Sequence, residues 1–114
     1  MSIILSDIIT ALTSTNIPIE TSVFSGKAPD EYIILTPLND NYPNYADNKP
    51  IQEIQSARLS LFSKSNYIAL KNSISKLLLD ADFTITDRLY VEFESDTKYH
   101  HYVIDIEKIY QLEE

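Results

Sequence analysis

The run "ITDRLYVEFESDTKYHHYVIDIEKIY", residues 85–110, constrains the fold more than any other part of the chain. Ile85, Leu89, Val91 and Phe93 alternate with polar residues or Tyr90, and Tyr102, Ile104 and Ile106 alternate with Val103, Asp105 and Glu107. Period-two patterning on both sides of a polar loop is the signature of a β-hairpin with one face toward a core. Placing Glu94 across from Tyr99, around a loop at 95–98, sets the register. Glu92 then lies opposite His101 and Arg88 opposite Asp105 on one face. Leu89 meets Ile104 and Val91 meets Tyr102 on the other. Cross-strand pairs of this kind contribute about 0.2–1 kcal/mol each, and a one-residue slip destroys all of them together. In this register Asp87 and Asp105 fall in opposite phases and form no carboxylate pair.

The rest of the chain supplies partners for the hairpin. Residues 3–14 carry Ile4, Leu5, Ile8, Ile9 and Leu12 at helical spacing, and Pro18 blocks continuation. Residues 19–25 look like a strand, 26–30 a turn around Gly26, and 31–37 a second strand. The contiguous apolar residues of this second strand point to burial on both faces and a central place in the sheet. Residues 38–50 carry four Asn and the prolines Pro43 and Pro50, which predict a long irregular loop. Residues 51–64 read as a long strand with Ala57, Leu59 and Leu61 on one face and Ser56, Arg58 and Ser60 on the other. Ser65 or Asn66 can cap a helix running to about Asp80, with Tyr67, Leu70, Ile74, Leu77 and Leu78 as its core stripe. Ile68 and Leu79 lie off that stripe, facing either the first helix or a neighbouring subunit. The expected fold class is α+β: two helices packed on a mostly antiparallel sheet of about five strands, in a single domain spanning 1–114.

Composition removes several function classes. Gly26 is the only glycine, so no P-loop and no dinucleotide fingerprint is possible. There is no cysteine, which excludes disulfides and thiolate metal sites. The formal charge is −8, from 17 acids against 9 bases, and phosphate-binding surfaces need clustered Lys and Arg. The absence of a signal-like or membrane-spanning run makes a soluble intracellular protein the expectation.

His100 and His101 are the only histidines. Adjacent strand residues point to opposite faces, so the two cannot readily share a metal ion. Structural roles are expected for both, His101 as the partner of Glu92 and His100 beside Phe93. No catalytic, cofactor-binding or metal-binding residue is assigned. The enzyme alternative is His101 working with Glu92 or Asp105 as an acid–base pair.

Residues 85–110, with "YADNKPIQEIQSARLSLFSKSNYIALKNSISKLL" before them, resemble the tail terminator or tail-completion proteins of tailed phages and prophages. The resemblance covers roughly residues 45–110 and lies in the whole pattern of strand, helix and long hairpin. It implies a homo-oligomeric ring, typically hexameric, that caps the tail tube and joins it to the head–tail connector protein. It implies no catalysis and no cofactor, with DNA only as cargo passing through the lumen. The expected location is the virion tail, and the host cytoplasm during assembly, with no membrane partner. A stopper or head-completion subunit is the neighbouring alternative, and a cytoplasmic peptide-binding module a more distant one. Pattern alone nominates two contact regions: the loop 39–48, with Tyr42, Tyr45 and Asp47, and the hairpin tip 96–101, with Asp96, Lys98 and His101.

Overall fold

A computed structural model describes residues 3–21 and 26–112. The elements run α1 (Ile4–Leu12), a 3-10 turn (Thr13–Thr15), β1 (Ile19–Glu20), β2 (Glu31–Asn41), β3 (Tyr45–Ala46), β4 (Lys49–Pro50), β5 (Gln52–Ser63), α2 (Tyr67–Asp80), β6 (Thr84–Phe93) and β7 (His100–Gln111). Five of the strands form one sheet in the order β1-β2-β5-β7-β6, while β3 and β4 form a separate ribbon. Among the described residues only the β1–β2 pair is parallel. The α+β expectation of two helices on a mostly antiparallel sheet therefore holds, including the C-terminal β6–β7 hairpin.

Both helices cover the same face of the sheet. That face presents Ile33 and Leu35 from β2, Ala57, Leu59 and Leu61 from β5, and Tyr102, Ile104 and Ile106 from β7. They meet Ile4, Ile8 and Leu12 of α1 and Leu70, Ile74 and Leu78 of α2. Full burial of such side chains contributes about 1.5–3 kcal/mol each. Each helix is also tied at a specific point. The Ile4 amide, unpaired within α1, donates to Gln55 Oε1 at 2.8 Å. Tyr110 donates to Asp7 at 2.5 Å, and burial, followed by the Asp7 carboxylate, pushes its pKa above the usual phenol value. Asn66 is the cap of α2, its Oδ1 accepting from the Ala69 amide at 3.1 Å.

Several expectations are corrected. Of the strand expected at 19–25, Ile19–Glu20 forms and Thr21 is already a bend; residues 22–25 lie outside the described residues. The strand β2 is not central. It lies beside the short β1, buries only its helix-facing side, and continues to Asn41. Ile9, expected on the core stripe of the first helix, is exposed. Ile68 and Leu79 stay 51% and 55% exposed, so the first helix does not cover them. The centre of the sheet is β5, paired along its whole length with β7 and almost as far with β2.

The hairpin register is right at its tip and wrong below it. Glu92 pairs with His101, and the Glu94 amide donates to the Tyr99 carbonyl at 2.8 Å, as expected. Further down, register shifts at Tyr90/Glu92 and Ile85/Asp87 leave Val91 and Thr86 as extra residues. Each bulge advances β6 by one position against β7. Arg88 therefore faces Ile104, Leu89 faces Val103, and Asp87 lies directly opposite Asp105. The expected pairs Arg88–Asp105, Leu89–Ile104 and Val91–Tyr102 do not form. Neither does the opposite phasing of Asp87 and Asp105.

Candidate functional site

The carboxylate of Asp105 is claimed from the other side of β7. Arg58 of β5 sits opposite it and donates from Nε at 2.7 Å and from its terminal nitrogen at 3.0 Å. The fork geometry of guanidinium and carboxylate makes this a strong pair, and the hydrogen bond to Asp105 raises the Arg58 pKa further. Asp105 is four residues along the strand from His101, about 13 Å at the usual rise. The two cannot share a proton directly.

His101 lies on the helix-free face, against Phe62. Their rings stack at 4.3 Å, Phe62 stacks on Tyr32 at 4.7 Å, and the Tyr99 ring meets both Phe62 and Tyr32 edge-on. Tyr99 itself is buried and donates to the Pro29 carbonyl. The Nε2 of His101 is buried with no hydrogen-bond partner among the described residues. Glu92 is thus its strand neighbour and not its ion-pair partner. Among the described residues the ion pairs are Arg58–Asp105 and Lys76–Asp80. Desolvation lowers the His101 pKa, against the weaker upward pull of Glu94 and Glu92 and with a small downward push from Arg58. The hairpin end expected to be exposed is half closed at this point, and His101 acts as a packing residue.

A depressed imidazole pKa has a definite sign in stability. The folded state prefers the neutral ring, so its contribution is fully present above the unfolded value, about 6.5. It is lost as pH falls through the lower folded value. His101→Phe keeps the stack on Phe62 and removes the titration. In thermal melts the parent is expected to lose stability as pH drops below about 6.5, and the variant to lose less. Parallel pH profiles for the two proteins would contradict this account of His101.

The other tip residues, Asp96 and Lys98, are exposed in the β6–β7 turn. The turn is held by the Lys98 amide on the Glu94 carbonyl at 2.7 Å and by Thr97 Oγ1 on Glu94 Oε1 at 2.7 Å. Lys98 adopts a left-handed φ of 69°. Asp96 Oδ1 accepts from the Thr97 amide at 3.0 Å.

Residues 38–50 are not the irregular loop that their prolines predict. β2 runs through residues 38–41, paired with β5 across a bulge at Leu38. The chain then makes a small ribbon in which Tyr45 pairs with Pro50 and Ala46 with Lys49. Asp47 and Asn48 close it with φ of 52° and 64°, the left-handed pair of a tight hairpin turn. The Ile51 amide donates to the Asn44 carbonyl at 3.1 Å, and the Leu112 amide to the Ile51 carbonyl at 3.1 Å. The result is a β-arm whose side chains stand in solvent. Tyr42 is 48% exposed, Tyr45 is 61% exposed, and their rings meet edge-on at 6.4 Å. Leu38 and Ile51 are exposed beside them.

The structure keeps the two nominated regions apart. The arm lies where β5 begins and β7 ends; the hairpin tip lies where β5 ends and β7 begins. The twelve residues of β7 separate them by roughly 36 Å at about 3.3 Å per residue, in a molecule 55 Å long and 26 Å wide. Tyr42, Tyr45 and Asp47 thus share one end, and Asp96, Lys98 and His101 the other.

One surface escaped the sequence reading. On the helix side of the hairpin tip, Tyr67 of α2 packs on Tyr90 at 5.1 Å, His100 at 4.8 Å and Tyr102 at 6.2 Å. Phe93 meets His100 at 4.9 Å, and Tyr90 Oη is 3.0 Å from His100 Nδ1. Tyr90 and Phe93 remain exposed. The expected neighbourhood of His100 and Phe93 was a partial signal. Tyr90 joins them on that face only because of the bulge at Val91.

Among the described residues no three His, Asp or Glu side chains are placed to hold a metal ion. No helix among them is long and apolar enough to cross a membrane. A scan against protein-family models finds no match, and a search of curated proteins finds none.

Proposed function

We propose that this chain is a structural subunit that assembles into a ring, of the tail-terminator kind its sequence resembles. One observation carries the reading: two unlike exposed surfaces, both rich in aromatic side chains, lie at opposite ends of a molecule 55 Å long. A surface at one end that binds a different surface at the other makes a heterologous contact, and such contacts build rings when their rotation closes. The ring would stop growth of the tail tube and offer its second face to the connector. The net charge of −8 would suit a lumen through which DNA passes without adhering.

Native mass spectrometry across a concentration series tests this. The expected result is a closed oligomer of defined size that grows with concentration. A chain that stays monomeric throughout would count against the ring. It would favour addition of a peptide along the edge strand β6, where Leu89 and Val91 are exposed.

A further inference from the structure

We propose that the contact closing this ring is the β-arm of one copy seated on the aromatic surface between α2 and β6 of the next. The proposal rests on the ring reading and names the two sides of its interface. The receiving side is preorganised: the rings of Tyr67, Tyr90, Phe93 and His100 already hold one another through tilted ring contacts and the Tyr90–His100 hydrogen bond. Aromatic anchors of this kind lose little rotamer entropy on binding and dominate interface energetics. Two cations flank them. Lys71 lies over the Tyr102 ring at 4.8 Å, and Arg88 reaches Ser75 Oγ at 3.3 Å. Neither has a carboxylate partner among the described residues.

The arm is complementary in both respects. It presents Tyr42, Tyr45, Leu38 and Ile51 as exposed apolar groups. It also carries Asp40 and Asp47, exposed and in no ion pair among the described residues, against the single cation Lys49. Its ribbon has strands of two residues each, too short for independent stability in water. It cannot satisfy itself by folding onto its own aromatic surface, because the length of β7 lies between them. A second copy is the occupant that both geometry and charge fit. Simple strand addition along β6 is the poorer alternative, since the bulges at Thr86 and Val91 interrupt its ladder.

The chain has no native cysteine, so engineered disulfides report contacts without background. Ala46→Cys places a thiol on the arm and Val91→Cys one beside the aromatic surface, both on exposed residues outside the anchors. Under mild oxidation the double variant is expected to give a ladder of covalent oligomers. An equimolar mixture of the two single variants should stop at dimers joining one of each. Leu79→Cys, near the far end of α2 and about 18 Å from Tyr67 along the helix axis, replaces Val91→Cys as the control and should give no ladder. Equal cross-linking in control and test pairs would overturn the contact. So would a parent protein that forms closed oligomers while the Ala46/Val91 pair gives no ladder, which would leave the ring reading standing. A parent monomeric at every concentration would overturn both.

Discussion

Leu59→Ala is expected to lower the unfolding free energy by about 3 kcal/mol, within the usual range for emptying a buried leucine site. Leu59 is wholly buried at the centre of β5, between Leu35 of β2 and Ile104 of β7, with both helices overhead. Total stabilities of small domains are about 5–15 kcal/mol, so the loss is a large share. At roughly 4–8 °C per kcal/mol for a chain near this size, the melting temperature should fall by more than about 10 °C. Leu89→Ala provides the contrast. Leu89 is 56% exposed on the edge strand, and its truncation should cost less than about 1 kcal/mol. Denaturant melts of the two variants check this, and comparable losses would mean that the sheet centre is not where the stability resides.

Deleting residues 42–48 is expected to do the reverse, sparing the fold and abolishing assembly. None of these residues belongs to the core cluster, and all are exposed. Asn41 already pairs with Ile54, so the shortened chain can turn from β2 into β5 with the sheet intact. The melting temperature should stay within a few degrees of the parent, as for surface changes away from buried features. Closed oligomers should disappear from native mass spectra. In a tail-assembly reaction, tails should fail to reach normal length or to join heads. A deletion variant that still assembles normal, head-joined tails would refute the role given to the arm.

The two predictions divide the molecule physically. Stability lies in one layered core in which α1 and α2 cover β2, β5 and β7. The surfaces proposed for assembly lie where helices are absent or end. Beyond α1 the strands continue as the arm, and beyond the first turn of α2 the hairpin carries its aromatic residues into solvent. The enzyme alternative loses one of its two candidate pairs in this arrangement. Asp105 is bound by Arg58 and lies out of reach of His101. Glu92 stays opposite His101, with no hydrogen bond to its buried Nε2.

What local pattern could settle, it settled. Helical spacing located Ile4–Leu12 and Tyr67–Asp80, because a 3.6-residue period is a property of each segment alone. Alternation located β5, β6 and β7 for the same reason. The tip register, Glu92 on His101 and Glu94 on Tyr99, was legible because a short turn constrains the residues nearest to it. Everything further from the turn depended on partners distant in the chain. Arg58, 47 residues before Asp105, takes the carboxylate that Arg88 was expected to hold, since β5 lies on the opposite side of β7. The bulge at Val91 moves Leu89 to the open face and brings Tyr90 onto the helix side, where it meets Tyr67 and His100. Prolines and asparagines in residues 38–50 read locally as loop, yet pairing with β5 extends β2 through part of them and leaves a tight ribbon at the end. Segment periodicity is encoded residue by residue. Strand order, bulges and cross-strand partners are energies of non-local hydrogen bonding and packing, which exist only once the four long strands have met.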